Sequence, residues 1–223
     1  SSRSVKGYFK DPEFKAFFFI QATLILICFL VLVLSGFYES AETALDQAMI
    51  QAVSISTTAG FATTDFSVWP TFLPILLIFS SFIGGCASST GGGLKVVRVC
   101  LLFLQGKREV DRLIHPKAVY AVKLGERAMP DRVVEAVWGF FSAYAVVFVV
   151  LMVGLIATGL DNLSAFTATA AMLNNLGPGL GSVASNYADV SDPGKWILVV
   201  GMVFGRLEVF SLLVLFSPTF WRS

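Results

Sequence analysis

The sequence predicts an all-α membrane protein built from two parallel repeats, each a spanning helix, a short re-entrant helix and a second spanning helix. Three observations carry that reading. Of the 223 residues, 56% are hydrophobic and only 14% are charged, with a mean hydropathy of +0.77; soluble domains carry about 25% charged residues. Four apolar stretches each exceed the roughly 20 residues needed to cross a ~30 Å hydrocarbon core. Finally, Gly60 and Gly177 align at an offset of 117, and the same offset carries Ala16 to Val133 and Ala44 to Asp161.

The first repeat occupies residues 1–105. Ala16 to Tyr38 is free of charge and predicts a span over about 14–38. Residues 41–57, AETALDQAMIQAVSIST, are moderately apolar and helix-compatible but too short to span. The Gly-containing turn TAGF follows at once, and then a second span over about 66–104. A basic linker over 106–130 precedes the second repeat, residues 131–223. There a span over about 131–160 leads to a short helix over 161–174, the turn NLGPG and a last span over about 194–221. A short apolar helix followed by an irregular turn and a returning chain describes a re-entrant loop. Such backbone is tolerated at membrane depth only where protein or a water-filled path satisfies its polar groups.

Basic residues set the orientation. No Lys or Arg lies between Lys15 and Lys95, or between Arg132 and Lys195, whereas Gln105 to Arg132 carries seven. Both termini and the central linker of this multi-pass chain are therefore expected in the cytoplasm. The outward connections hold Glu39, Glu42, Asp46, Asp65, Asp161, Asp189 and Asp192, and an acidic mouth concentrates cations. Because both repeats enter from the same side, their symmetry axis lies along the membrane normal, as in a channel; inverted repeats would suggest a rocking transporter.

Composition excludes several classes. A net charge of +1 leaves no dense basic face for nucleic acid. Cys28, Cys86 and Cys100 have no metal-ligand spacing and read as small buried hydrophobes. His115 is the sole histidine and lies in the linker, and no nucleophile–base pair can be assembled, so no enzyme and no covalently bound cofactor is expected. The chain opens on Ser1 without a signal-peptide pattern and reads as a fragment or a trimmed chain.

Three sites carry chemistry. A potassium filter replaces the hydration shell with backbone carbonyls, and glycine lets the backbone aim them at the axis. The matching strings are Thr58-Ala59-Gly60-Phe61 and Asn175-Leu176-Gly177-Pro178. Potassium, the expected substrate, would bind through their carbonyls. The C-terminal end of each preceding helix would favour a cation by ~0.3–1 kcal/mol. The second site is IGGCASSTGGGLK, residues 83–95, where Gly84, Gly85, Gly91, Gly92 and Gly93 flank Ser88, Ser89 and Thr90. These glycines predict an unwound intramembrane segment that moves beneath the filter; small-residue helix packing is the plainer alternative. The third site is Arg206, a mid-span charge that demands a partner. The offset sets it level with Ser89, from where it can donate to carbonyls of the glycine-rich segment.

The strings STTAGF, GGCASSTGGGLKVVR, HPKAVY, NNLGPGLG, FGRLE and the terminal PTFW together resemble the Trk/Ktr/HKT superfamily of potassium transporters. The resemblance covers essentially the whole chain and matches the third and fourth repeats, the C-terminal half of bacterial members. It implies M1–pore helix–M2 repeats of potassium-channel-like fold, here half of a pseudo-fourfold pore whose other half would come from missing first and second repeats or from a second chain. Thr58 to Phe61 and Asn175 to Pro178 become filter segments, Gly84 to Gly93 the gate loop, and Arg206 the basic residue beside it. It further implies membrane lipid around the chain, a second copy in a homodimer, and a cytosolic nucleotide-binding regulatory subunit of the TrkA type. At Ser88 the family pattern implies glycine.

Two other functions fit parts of the pattern. A proton- or sodium-coupled symporter needs a carboxylate in the permeation path, for which Glu208 is the mid-span candidate. A non-conducting assembly subunit accounts for half a pore and predicts silent filter-glycine substitutions.

Overall fold

A computed structural model describes residues 11–207, apart from Ser88, Lys117 and Val119. The first helix, α1 (Pro12–Leu34), starts where Asp11 accepts a hydrogen bond from the Glu13 N–H at 2.9 Å and Pro12 takes the first helical position. It is apolar all round but buries only Gln21, Leu24, Cys28 and Leu32, a single stripe with a helical period. Only 22% of its most apolar window is buried, and 17% of that of the later helix Asp131–Ala157. Apolar side chains pointing outward on both helices are what a bilayer requires and water would penalise. These two are the helices long and apolar enough to cross a membrane among the described residues.

The stripe on α1 receives α2 (Ala41–Ser56). Ser40 caps α2 by accepting from the Thr43 N–H at 3.1 Å, and Ala44, Ala48 and Ala52 form its fully buried face. Lipid is as apolar as a leucine side chain, so close approach through small residues, rather than escape from water, holds such a pair together. Past a 3₁₀ turn at Phe66–Val68, α3 (Leu73–Ser81) carries Pro74 in its first turn and stops after nine residues.

The second span expected over 66–104 thus arrives as two helices. The described residues from Phe82 to Lys95 are non-helical, and α4 (Val96–Ile114) then follows. That helix continues beyond residue 105, where a linker was expected. The polar end of α4 supports its own helix through Gln105 Nε2 to Glu109 Oε1 at 2.7 Å and Arg112 Nη1 to the same oxygen at 3.2 Å. It also ties to the next span through Arg108 Nη1 and Asp131 Oδ1 at 2.6 Å. A two-residue hairpin joins β1 (Lys123–Leu124) and β2 (Arg127–Ala128), with Gly125 at φ +63 in the first turn position.

The second half repeats the order with α5 (Asp131–Ala157), α6 (Asn162–Leu173), a 3₁₀ turn at Gly181–Val183 and α7 (Asp192–Arg206). The final part of the last expected span, and with it Glu208, lies outside the described residues. An aromatic cluster joins the halves: Phe82 stands 5.6 Å from Phe148 and Phe79 5.5 Å from Phe166, centroid to centroid. Offset ring pairs of this kind contribute about 0.5–1.5 kcal/mol each beyond area burial.

Candidate functional site

Both short helices end the same way. The residue after α2, Thr57, has φ −84° and ψ 0°; the residue after α6, Asn174, has φ −88° and ψ −3°. Next come Thr58 at φ +59 and Asn175 at φ +54, and two residues later Gly60 at φ +77 and Gly177 at φ +100. The hydrogen bonds repeat as well. Ala59 N–H donates to Ser54 O at 2.8 Å and Leu176 N–H to Ala171 O at 2.7 Å, while Thr58 N–H donates to Ile55 O at 3.1 Å and Asn175 N–H to Met172 O at 3.0 Å. Every one of these pairs differs by the 117 residues read from the sequence.

Left-handed φ at every second residue lets successive carbonyls turn to one side, whereas an ordinary strand alternates them. Non-glycine residues adopt that region rarely and at a cost of about 1–3 kcal/mol. Thr58 and Asn175 are held in it by the helix end behind them. Among the described residues, no donor reaches the carbonyl oxygens of Thr57 to Gly60 or Asn174 to Leu176. Backbone carbonyls left unpaired inside a protein call for water or a cation. Two of the carbonyls expected to face an ion are instead engaged by the protein: Phe61 O accepts from Ser54 Oγ at 2.6 Å, and Gly177 O from Tyr187 Oη at 2.7 Å. The strings also touch: a Cβ added to Gly60 would lie 2.2 Å from Leu176 O. Glycine at 60 is therefore required for contact as well as for φ.

Buried polar struts brace each string from behind. In the first half, Gln21 on α1 and Ser56 at the end of α2 exchange hydrogen bonds at 2.7 and 2.9 Å. In the second, Tyr144 Oη donates to Asn174 Oδ1 at 2.6 Å, and Asn174 Nδ2 donates to Ser81 Oγ at 2.8 Å. That last bond crosses from one half to the other. Sequence reasoning missed these residues, although an isolated Gln or Tyr in a charge-free span was the available signal.

The glycine-rich segment folds as a loop pinched at its base. Leu94 N–H donates to Phe82 O at 2.8 Å and Val96 N–H to Gly85 O at 3.1 Å, with Gly84 at φ +69 and Gly93 at φ +78 turning the two arms. Its tip lies against the helix-end side of both strings. Gly92 N–H donates to Thr58 Oγ1 at 2.9 Å. A Cβ on Gly92 would fall 1.7 Å from Asn174 O, and one on Gly91 3.0 Å from Thr57 O. Arg206 Nη1, from α7, donates to Thr90 O at 2.8 Å. Lys95, which sequence reasoning used only to mark a span's end, has its ammonium against the carbonyls of Ser89, at 2.7 Å, and Gly91. From the start of α1, Glu13 Oε1 accepts from Ala87 N–H at 2.5 Å. Ser88 lies outside the described residues. Ser89, Thr90, Gly91 to Gly93, Lys95 and Arg206 line a cleft of about 260 Å³.

Comparison with known proteins places this architecture. The family described as "TrkH: Cation transport protein" matches residues 2–223. The chain belongs to the TrkH family. As a TrkH-family chain it is a membrane protein of a transport family rather than an enzyme. It is 66% identical over 218 residues to the Trk system potassium uptake protein TrkH of Vibrio parahaemolyticus, covering 98% of this chain and 45% of that protein. Its identity to the protein of the same name from Escherichia coli is 60% over 223 residues, covering 100% and 46%. The structure described as the crystal structure of the potassium transporter TrkH from Vibrio parahaemolyticus superposes with a TM-score of 0.92, covering 98% of this chain and 47% of that one. The chain thus spans about half the length of the relatives it matches.

Proposed function

We propose that this TrkH-family chain supplies half of a potassium-selective uptake pathway through a bacterial inner membrane. Residues 57–60 and 174–177 act as two filter segments of a pseudo-fourfold pore, and repeats like the first and second of the longer relatives complete it. The observation that carries this reading is the duplicated string at the two helix ends, with alternating left-handed φ and with the carbonyls of residues 57–60 and 174–176 meeting no donor among the described residues. Each string follows a helix C-terminus, where the helix dipole places about half a negative charge. Dehydrated potassium exchanges water for these carbonyls and moves without coupling to a second ion. The glycine-rich loop beneath closes the path, and Arg206 latches it. Both termini face the cytoplasm, where a nucleotide-binding subunit of the TrkA type regulates a homodimer.

Flux in proteoliposomes tests this directly, comparing potassium with sodium for the chain alone and for the chain joined to the N-terminal half of a relative. Potassium-selective flux in the joined protein, insensitive to pH and sodium gradients, is expected. Selective flux that survives Gly60→Asp and Gly177→Asp overturns the filter assignment, and flux driven by a proton or sodium gradient overturns the channel reading.

A further inference from the structure

Two cations meet the glycine-rich loop, and their settings differ. Arg206 is exposed and approaches from a separate helix, with one hydrogen bond among the described residues, to Thr90 O. Lys95 is part of the loop's own stem and is only 8% exposed. Its Nζ donates to Ser89 O at 2.7 Å, to Gly91 O and to Ser89 Oγ at 3.3 Å. An ammonium offers three donors arranged around a compact charge, and here it meets at least three oxygens from one loop. Lys95 also holds φ +73, a left-handed backbone that an unbranched side chain adopts only under constraint. The constraint is visible on either side: Leu94 N–H is fixed to Phe82 O and Val96 N–H to Gly85 O. Together these fold the Lys95 side chain back into the loop that it closes.

A cation surrounded by two backbone carbonyls and a hydroxyl occupies the kind of site that dehydrated potassium occupies in a filter. We infer that the loop is a second cation cradle with a tethered occupant: the Lys95 ammonium sits where a free monovalent cation would otherwise bind, and it is the positioning residue that gives the loop its closed shape. The inference rests on the reading of this loop as a gate. It separates two tasks within that gate. Arg206 ties the loop to α7, whereas Lys95 sets the internal fold that presents Gly91 and Gly92 to Thr58 and Asn174. A burial-only role for Lys95 would be met by any apolar side chain of the same length; a cradle demands a cation.

The experiment is basal potassium flux in the protein that joins this chain to the N-terminal half of its relatives, for Lys95→Ala and Lys95→Met, with and without millimolar propylammonium. Lys95→Ala is expected to raise basal flux roughly tenfold, the size of losing one charge-assisted hydrogen bond, with potassium-over-sodium preference retained. Propylammonium is expected to restore low flux in Lys95→Ala and to leave the parent unchanged. Lys95→Met, which fills the space without charge, should be raised and not rescued. Low flux in both variants while Arg206→Ala is raised overturns the cradle and leaves the gate standing; low flux in all three overturns the gate as well. Raised flux that the amine does not lower, or low flux in Lys95→Met alone, assigns Lys95 a packing role and overturns the inference. So does failure of both variants to reach the membrane.

Discussion

The two halves use glycine in opposite ways at the same level of the fold. In the first half, glycines cluster between Ser81 and Val96, two of them have positive φ, and the helix breaks into a loop. In the second half, Gly201 and Gly205 stand four apart on α7, which runs unbroken from Asp192 to Arg206. There they serve close approach: a Cβ on Gly205 would lie 2.2 Å from Leu173 O and 2.4 Å from Asn175 Nδ2. One half supplies the loop proposed to move, and the other supplies the unbroken helix on which Arg206 is mounted. Spacing decides between the two uses, because consecutive glycines remove a whole turn's preference for helix while isolated ones cost only about 1 kcal/mol each.

The largest effects are expected at the proposed filter, where the comparison is sharpest. Gly60→Asp and Gly177→Asp should each abolish selective uptake, read as potassium or rubidium flux. Alanine should separate them: Gly60→Ala drives a Cβ into Leu176 O, whereas the space around Gly177 is open and only its φ opposes a side chain. Equal loss in the two alanine variants would break the proposed asymmetry. Next in size, Arg206→Ala should raise basal flux roughly tenfold, as expected for a lost charge-assisted hydrogen bond. Unchanged or lower flux would count against the latch.

Much of this arrangement was legible in the sequence, and the exceptions share a cause. Five glycines in one apolar run announced the break, and the offset of 117 placed Arg206 beside it within one residue of the carbonyl it meets. The same offset holds at the C-terminal ends of α2 and α6 but not at their starts, since α2 begins at Ala41 and α6 at Asn162. On the proposed filter reading the helix ends that present it must coincide, while their outer ends answer only to local caps such as Ser40 and Asp161. Lys95 was hidden because a lysine closing an apolar run ordinarily marks the membrane boundary. Its turn inward depends on backbone hydrogen bonds that no pattern of residue types records. The struts Gln21–Ser56 and Tyr144–Asn174 join residues 35 and 30 positions apart, beyond any periodicity.

The struts allow a smaller test. Tyr144→Phe should lower thermal stability in detergent by about 0.5–2 kcal/mol, in the range measured for buried hydrogen bonds between membrane helices, and Gln21→Leu by an amount nearer the lower end of that range. A larger loss for Tyr144→Phe is expected, because Asn174 also bridges to Ser81 in the other half. The smallest effect belongs to the outer end of α6. Hydrogen bonds from the Ser164 side chain and N–H hold the Asp161 carboxyl below its ordinary range. A carboxyl lowered in the folded state stabilises above its ordinary pKa, and that contribution fades as pH falls through the lowered value. Asp161→Ala should cost about 1 kcal/mol at neutral pH, as for a lost helix cap, and much less in acid. A pH-independent loss would sever the link between the cap and its charge.

The most direct test of the central claim is diffraction from the chain joined to the N-terminal half of a relative, with rubidium or thallium replacing potassium and anomalous scattering used to locate the ion. Peaks within coordination reach of the Thr58, Gly60, Asn175 and Leu176 carbonyls, absent with sodium, are the predicted result. A vacant filter, or ions confined to side-chain carboxylates elsewhere, would contradict it.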